Sequence, residues 1–309
     1  YALVGITALS TVLILGTVTK GAKLSFSIKG ISFQPSEFVK IIFVFFVASA
    51  LYKASGFLEV ALTAVVAGIH VIVLVLSKDL GSALIFFVVY VMMVFVATKK
   101  WIYLLLGITG GSAAAVVAYK LFTHVQVRVL AWQDPWSVID NEGFQITQSL
   151  FAIGSGGWFG LGLYQGTPQS IPFVEADFIF SAVTEELGLI FAMCLILVCI
   201  SCFIMCMNIS VRLNDKFYQL VAFGLGVTYI FQIFLTIGGG TKFIPLTGVT
   251  LPFISYGGSS VLTTLIMFSI IEGLYIIKQR EVSKSVKEKR KGVSGRSSEG
   301  KLLPGKMIE

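Results

Sequence analysis

The stretch Ile171-Pro172-Phe173-Val174-Glu175-Ala176-Asp177-Phe178-Ile179-Phe180 runs on through an apolar segment into Glu185-Glu186-Leu187-Gly188. Ionisable side chains within a long apolar run are expensive in hydrocarbon and mark polar cavities or bundle interiors. Asp177 falls at the head of the run, where it would cap a helix or serve as a general base at a wet opening onto lipid. Glu185 lies eight residues further on, about 12 Å along a helix and on roughly the same side; Glu186 faces nearly opposite. A capping residue alone does not require them. Upstream, residues 122–177 form the one long segment that is not mostly apolar, with Trp132, Trp136 and Trp158 suited to a membrane–water boundary.

The rest of the chain reads as membrane spans that hold this stretch. Of 309 residues, 56% are hydrophobic and 13% charged, with mean hydropathy +0.90. Soluble domains carry roughly 25% charged residues, so a soluble globular fold is excluded. The expected fold is all-α: a polytopic membrane helix bundle of about eight spans, at roughly 1–19, 38–52, 59–77, 82–98, 102–121, 178–207, 217–237 and 260–277. Residues 1–277 form the membrane domain, with a long extracytoplasmic loop at about 122–177. Residues 278–309 carry ten Lys/Arg against four Glu, which is +6 of the net +7. They read as a basic, unstructured cytoplasmic tail by the positive-inside rule, and without aromatics they do not suit nucleic acid. Counting back, segments 20–37, 78–81, 122–177 and 238–259 lie outside.

The four cysteines (Cys194, Cys199, Cys202 and Cys206) share one apolar run, where free Cys packs as a small hydrophobe. His70 and His124 stand alone, without the carboxylate spacing of a zinc site. Pro35, Ser36 and Glu37 suit a helix start. Lys40, a cation one turn into an apolar run, either pairs with Glu37 at (i, i+3) or faces a ligand. Asp79, in the turn Lys78-Asp79-Leu80-Gly81, suits a cap. The run Gly154-Ser155-Gly156-Gly157-Trp158-Phe159-Gly160-Leu161-Gly162 lacks a following Gly-Lys-Ser/Thr, so it is no nucleotide loop. It reads as flexible turns or a backbone cradle for pyrophosphate. Prolines and glycines in 238–259 mark broken helix lining a cavity.

Taken in order, several segments resemble the SEDS family of bacterial cell-wall proteins, the RodA/FtsW/SpoVE group. They are Gln34-Pro35-Ser36-Glu37 with Lys40, Asp79-Leu80-Gly81, Arg128 ahead of Asp134-Pro135-Trp136, and Gly143-Phe144-Gln145-Ile146-Thr147-Gln148-Ser149. Asp177-Phe178-Ile179-Phe180 with Glu185-Glu186-Leu187-Gly188, and Leu251-Pro252-Phe253-Ile254-Ser255-Tyr256-Gly257-Gly258-Ser259, complete the set. The family has ten spans, and this chain looks like the last eight. The chain departs from it at Lys23-Leu24-Ser25, where an aromatic-basic pair is usual, and at Val174-Glu175-Ala176-Asp177, which lacks the usual His.

The resemblance implies a peptidoglycan glycosyltransferase, multi-pass in the bacterial cytoplasmic membrane, that polymerises lipid II at the outer face. It also implies a class B penicillin-binding protein as partner and dependence on a divalent cation (Mg or Mn), with no organic cofactor and no protein metal site assigned. Its essential aspartate falls on Asp177. Expected substrate contacts are Lys40, Arg128, Gln145, Gln148, Lys242, Ser255, Tyr256 and Ser259, supported by Glu37, Asp79, Glu185 and Glu186. Arg128, Lys40 and Lys242 are candidates to meet the leaving pyrophosphate, Arg128 first because guanidinium grips phosphate in bidentate fashion. Two other readings are a flippase for lipid-linked precursors and a non-catalytic scaffold for the partner.

Overall fold

The computed structural model describes residues 1–19, 22–28, 31–53 and 56–299. It is almost wholly helical: α1 (Ala2–Leu15), α2 (Pro35–Leu51), α3 (Phe57–Leu76), α4 (Leu80–Thr98), α5 (Trp101–Leu121), α6 (Thr123–Gln133), α7 (Phe144–Gly156), α8 (Ile179–Arg212), α9 (Lys216–Gly240) and α10 (Gly258–Glu299). Among the described residues, α3, α4, α5, α8, α9 and α10 are long and apolar enough to cross a membrane. α1 and α2, with 14 and 17 residues, are shorter but pack into the same bundle.

Three boundaries differ from the sequence expectation. The first apolar run stops as a helix at Leu15 and enters a small antiparallel sheet of β1 (Thr17–Thr19), β2 (Ala22–Ile28) and β3 (Ile31–Phe33). Its signal is the alternation of Lys23, Ser25 and Ser27 with Leu24, Phe26 and Ile28, the period of a strand. At the other end, α10 runs through the expected unstructured tail to Glu299. Lys20 and Lys29 of the first outer segment, and residues 300–309 of the tail, lie outside the described residues.

The third difference is a break inside α8. Gly188 has φ +86°, ψ 169°, so one helix ends at Leu187 and another begins after the glycine. The backbone groups freed there are met by the glycine-rich run. Leu161 N–H donates to Glu185 O (2.9 Å) and Gly162 N–H to Glu186 O (2.9 Å), while Leu189 N–H donates to Gly157 O (2.9 Å). A Cβ at Gly188 would run into the backbone of residues 158–160. Only glycine suits both the left-handed φ and this close approach.

α9 is the hub: 72% of its apolar window is buried, against none for α5. It packs on α2, α4, α8 and α10, with Phe43, Val47, Phe86, Met93 and Leu225 filling the centre. Gly224 of α9 lets Met93 and Val44 approach; a Cβ there would sit 2.7 Å from each. His70 is buried among Phe43, Phe46 and Phe86, with Nδ1 at 2.9 Å from Val66 O of its own helix. The four cysteines are free, and Cys199 and Cys206 are buried in the packing.

Candidate active site

Two irregular segments meet at one end of the bundle: residues 171–178, leading into α8, and residues 241–257, between α9 and α10. α9 ends because Gly238, Gly239 and Gly240 weaken it and the chain turns back through Lys242 at φ +60°. The second segment then runs alongside the first, and its polar backbone is satisfied from several sides.

From α9, Thr236 Oγ1 donates to Val249 O (2.9 Å) and Gln232 Nε2 to Thr250 O (3.0 Å). From α6, Arg128 Nη1 donates to both Leu246 O and Thr247 O (3.2 Å each), and Trp132 Nε1 to Lys242 O (3.1 Å). Leu251 N–H donates to Ser255 Oγ (2.7 Å), whose hydroxyl donates to Ala176 O, and Tyr256 N–H donates to Glu175 O (2.7 Å). Bonds thus fall on the two residues before Asp177. Across from it, a Cβ on Gly248 would lie 3.7 Å from Asp177 Oδ2.

Asp177 itself is 7% exposed. It does not cap α8: Phe178 holds the cap position, and the Asp177 N–H donates to Phe173 O (3.1 Å). Its neighbours Glu175 and Ile179 line a cavity of about 520 Å³, walled otherwise by Ile254, Tyr256, Val261 and Leu265. Polar at Glu175 and Ser255 and apolar along α10, this cavity has the mixed character that an amphiphile needs.

Arg128 is the cation of the site. Burial pushes its pKa below the ordinary arginine value, and the carboxylates of Asp79 and Asp177 oppose that shift. The guanidinium stays charged, because arginine titrates far above neutrality. Asp79 caps α4, accepting from Ser82 N–H (3.1 Å), and also accepts from Ser36 Oγ (3.0 Å). Gly81 brings this turn against Val249 and Thr247 O, where a Cβ would not fit. Burial, then the charges of Arg128 and Lys78, lower the pKa of His124 on the same helix.

Lys40 and Glu37 take the pairing alternative. Lys40 Nζ lies 2.9 Å from Glu37 Oε2 and 2.7 Å from Gln232 Oε1, with side chains 2% and 7% exposed. Lys40 therefore reaches the site through Gln232 and the Thr250 carbonyl. Gln232 is the residue sequence reasoning passed over; its signal was a lone amide in an apolar span. Ser259 Oγ accepts from Gln34 N–H (3.0 Å), joining the start of α2 to α10. Ser255 is buried, and Tyr256 is 79% exposed on the cavity rim. The side chains of Gln145 and Lys242 are half-buried.

Glu185, Glu186 and Gln148 are placed elsewhere. Glu185 Oε1 accepts from Thr167 N–H (3.1 Å) and Glu186 Oε1 from Tyr164 N–H (3.2 Å), and Gln148 lines a separate cavity with Glu185. The kink at Gly188 turns both carboxylates to the 160s loop. The glycine run spends the N–H groups of Leu161 and Gly162 on that kink and does not form an anion cradle. Among the described residues, no three His, Cys, Asp or Glu side chains converge as a metal-binding group.

Comparison with known proteins gives the family and the fold. The profile of the FtsW/RodA/SpoVE family, described as "Cell cycle protein", matches residues 1–280. The peptidoglycan glycosyltransferase RodA of Mycobacterium tuberculosis H37Rv is 37% identical over 267 residues, 81% of this chain and 57% of that protein. A probable peptidoglycan glycosyltransferase FtsW of Saccharophagus degradans is 36% identical over 282 residues, 86% of this chain and 72% of that one. This chain thus spans little more than half the length of its mycobacterial relatives. The same fold occurs in a solved peptidoglycan synthase complex (TM-score 0.76, 24% identity, 90% of this chain and 80% of that chain). It occurs also in the crystal structure of Thermus thermophilus Rod shape determining protein RodA (TM-score 0.64, 24% identity, 87% and 74%).

Proposed function

The chain belongs to the FtsW/RodA/SpoVE family of cell cycle proteins, and on that premise we propose that it is a multi-pass membrane glycosyltransferase polymerising lipid II into glycan strands. The observation that carries this reading is Asp177, held at the junction of two irregular segments, the second of which Arg128 bonds through Leu246 O and Thr247 O, and flanked by residues of the 520 Å³ cavity.

Lipid II is a disaccharide-pentapeptide on a polyprenyl pyrophosphate. Its sugar must stay wet while its tail stays in lipid. In this reading the tail lies along Val261, Leu262 and Leu265 of α10, and the sugars sit toward Glu175 and Tyr256. The 4-OH of one sugar attacks C1 of another. Its proton passes to the Asp177 carboxylate, the C1–O bond breaks, and the electron pair leaves with pyrophosphate. A single displacement inverts C1. A positioned general base is worth about 10²–10⁴ in rate. Arg128 balances the charge developing on pyrophosphate, a role suited to guanidinium, and Lys242 is a second candidate.

Placing the site on the outer face, with the basic residues after Lys278 in the cytoplasm, follows the positive-inside rule. A class B penicillin-binding protein is the proposed partner, consistent with a fold shared with a synthase complex. The flippase reading drew on Glu185 and Glu186 inside a span; both instead meet the 164–167 backbone at the kink, so that support falls away. The test gives full-length protein, reconstituted in vesicles with its partner, fluorescent lipid II. Glycan strands support the proposal. Lipid II crossing the bilayer without polymer would replace it with transport.

A further inference from the structure

A second polar cavity lies away from Asp177. It encloses about 280 Å³ between α7, the loop 161–170 and the first turns of α8, and is lined by Gln148, Phe151, Ser155, Gln165, Thr167 and Glu185. Glu185 is 5% exposed. Its Oε1 accepts from Thr167 N–H, while Oε2 is buried with no hydrogen-bond partner among the described residues. Gly166 packs against this carboxylate, its Cβ position 2.9 Å from Glu185 Cδ, and fixes the group in place. A buried acceptor without a donor is costly, and the cavity contributes no Lys or Arg to neutralise it.

The composition of the walls narrows the ligand. The carboxylate excludes anions, and two amides and several hydroxyls exclude a plain hydrocarbon tail. A metal ion is poorly served, because Glu185 is the one acidic residue in the lining. A hydroxylated ring is served well: a hydroxyl donates to Oε2, Gln148 and Gln165 both donate and accept, and the C–H face lies on the Phe151 ring. Phe151 is half exposed and is itself braced by Trp136, with centroids 5.6 Å apart.

The cavity backs onto the candidate active site. Adjacent residues of α7 face the two places: Gln148 lines the cavity, and Ser149 bonds to Gly240 O and Ser181 on the Asp177 side. The small cluster of Ala152, Ile171 and Phe178 fills the wall between.

We propose that this cavity is a saccharide subsite that holds an N-acetylated hexosamine ring of the glycan being made. The assignment rests on the polymerase reading above. The test uses the full-length protein in nanodiscs and chitotetraose, a soluble β-1,4-linked chain of N-acetylglucosamine, in saturation-transfer NMR and titration. Wild type binds the tetrasaccharide. Glu185→Gln, which turns an acceptor into a donor, weakens binding at least about tenfold, as loss of a hydrogen bond to a charged group does. Gln165→Ala, on an exposed loop position where misfolding is not a concern, weakens it as well. Unchanged binding in both variants overturns the subsite, as does failure of the wild type to bind while it still polymerises lipid II. Calcium or magnesium binding that Glu185→Gln abolishes, without any tetrasaccharide signal, also overturns it in favour of a cation. A wild type that binds tetrasaccharide but makes no polymer keeps the sugar site and overturns the polymerase reading instead.

Discussion

Replacing Lys40 by Met removes one buried charge and leaves its partner behind. Glu37 Oε2 then has no cation at 2.9 Å, and Gln232 Oε1 loses its 2.7 Å donor. Exposed ion pairs contribute only about 0.2–1 kcal/mol, but these side chains are 2% and 7% exposed. For a pair buried to that extent, removal of one partner costs about 3–5 kcal/mol, most of it the stranded charge. That corresponds to roughly two to four powers of ten in the folding equilibrium. At about 2 °C per kcal/mol, suited to a chain of this length, the thermal midpoint in detergent falls by roughly 6–10 °C. Glu37→Gln in the same chain removes the stranded charge, and the double variant recovers most of the loss. A midpoint shift under about 2 °C for Lys40→Met, or a double variant no better than the single, would refute the buried-pair account. A full loss of polymerisation at unchanged stability would instead return Lys40 to direct contact with substrate.

Three other outcomes are expected. Gly188→Ala meets both a φ of +86° and the backbone of residues 158–160; it lowers stability by at least about 2 kcal/mol, and a midpoint within 1 °C of wild type contradicts the kink assignment. Arg128→Lys removes the planar guanidinium whose Nη1 meets both Leu246 O and Thr247 O and whose other N–H groups are the proposed phosphate donors, replacing it by a compact ammonium on a different stem. Polymerisation by that variant falls about tenfold or more, read as lipid II turnover, and a change under twofold removes Arg128 from the site. For His124, whose folded pKa is lowered first by burial and then by Arg128 and Lys78, the unfolded chain binds more protons in acid. Its contribution to stability is present above about pH 6.5 and is lost as pH falls below that value. Denaturation midpoints from pH 7.5 to 5 therefore flatten in His124→Asn, and an unaltered slope counts against it.

Much of this architecture was legible because hydrocarbon imposes a simple rule: long apolar runs must be helices. The spans of α3 to α5 and α8 to α10 follow from it, and Pro35 and Asp79 sit at helix starts as their residue types require. The attachment of Arg128 and Gln232 to residues 246–250 was not legible, since both bond to main-chain carbonyls, which carry no side-chain signal. Lys40 shows the same limit: its second partner, Gln232, is 192 residues away. The break at Gly188 was hidden because the apolar pattern continues across it, although a glycine beside two carboxylates, preceded by a glycine-rich run, was its trace. β2 and β3 fall in the segment expected as an outer loop, although the alternation from Lys23 to Ile28 was their trace, and β1 falls at the end of the first expected span.

The central claim is that one carboxylate takes the proton of the attacking sugar hydroxyl. Its most direct test is the initial rate of lipid II polymerisation by Asp177→Asn in the full-length protein, with partner binding measured on the same sample. Asparagine keeps the size and removes the base, so the rate falls by about 10²–10⁴ while partner binding and thermal midpoint stay at wild-type values. A rate within about threefold of wild type, outside that range altogether, would contradict the account.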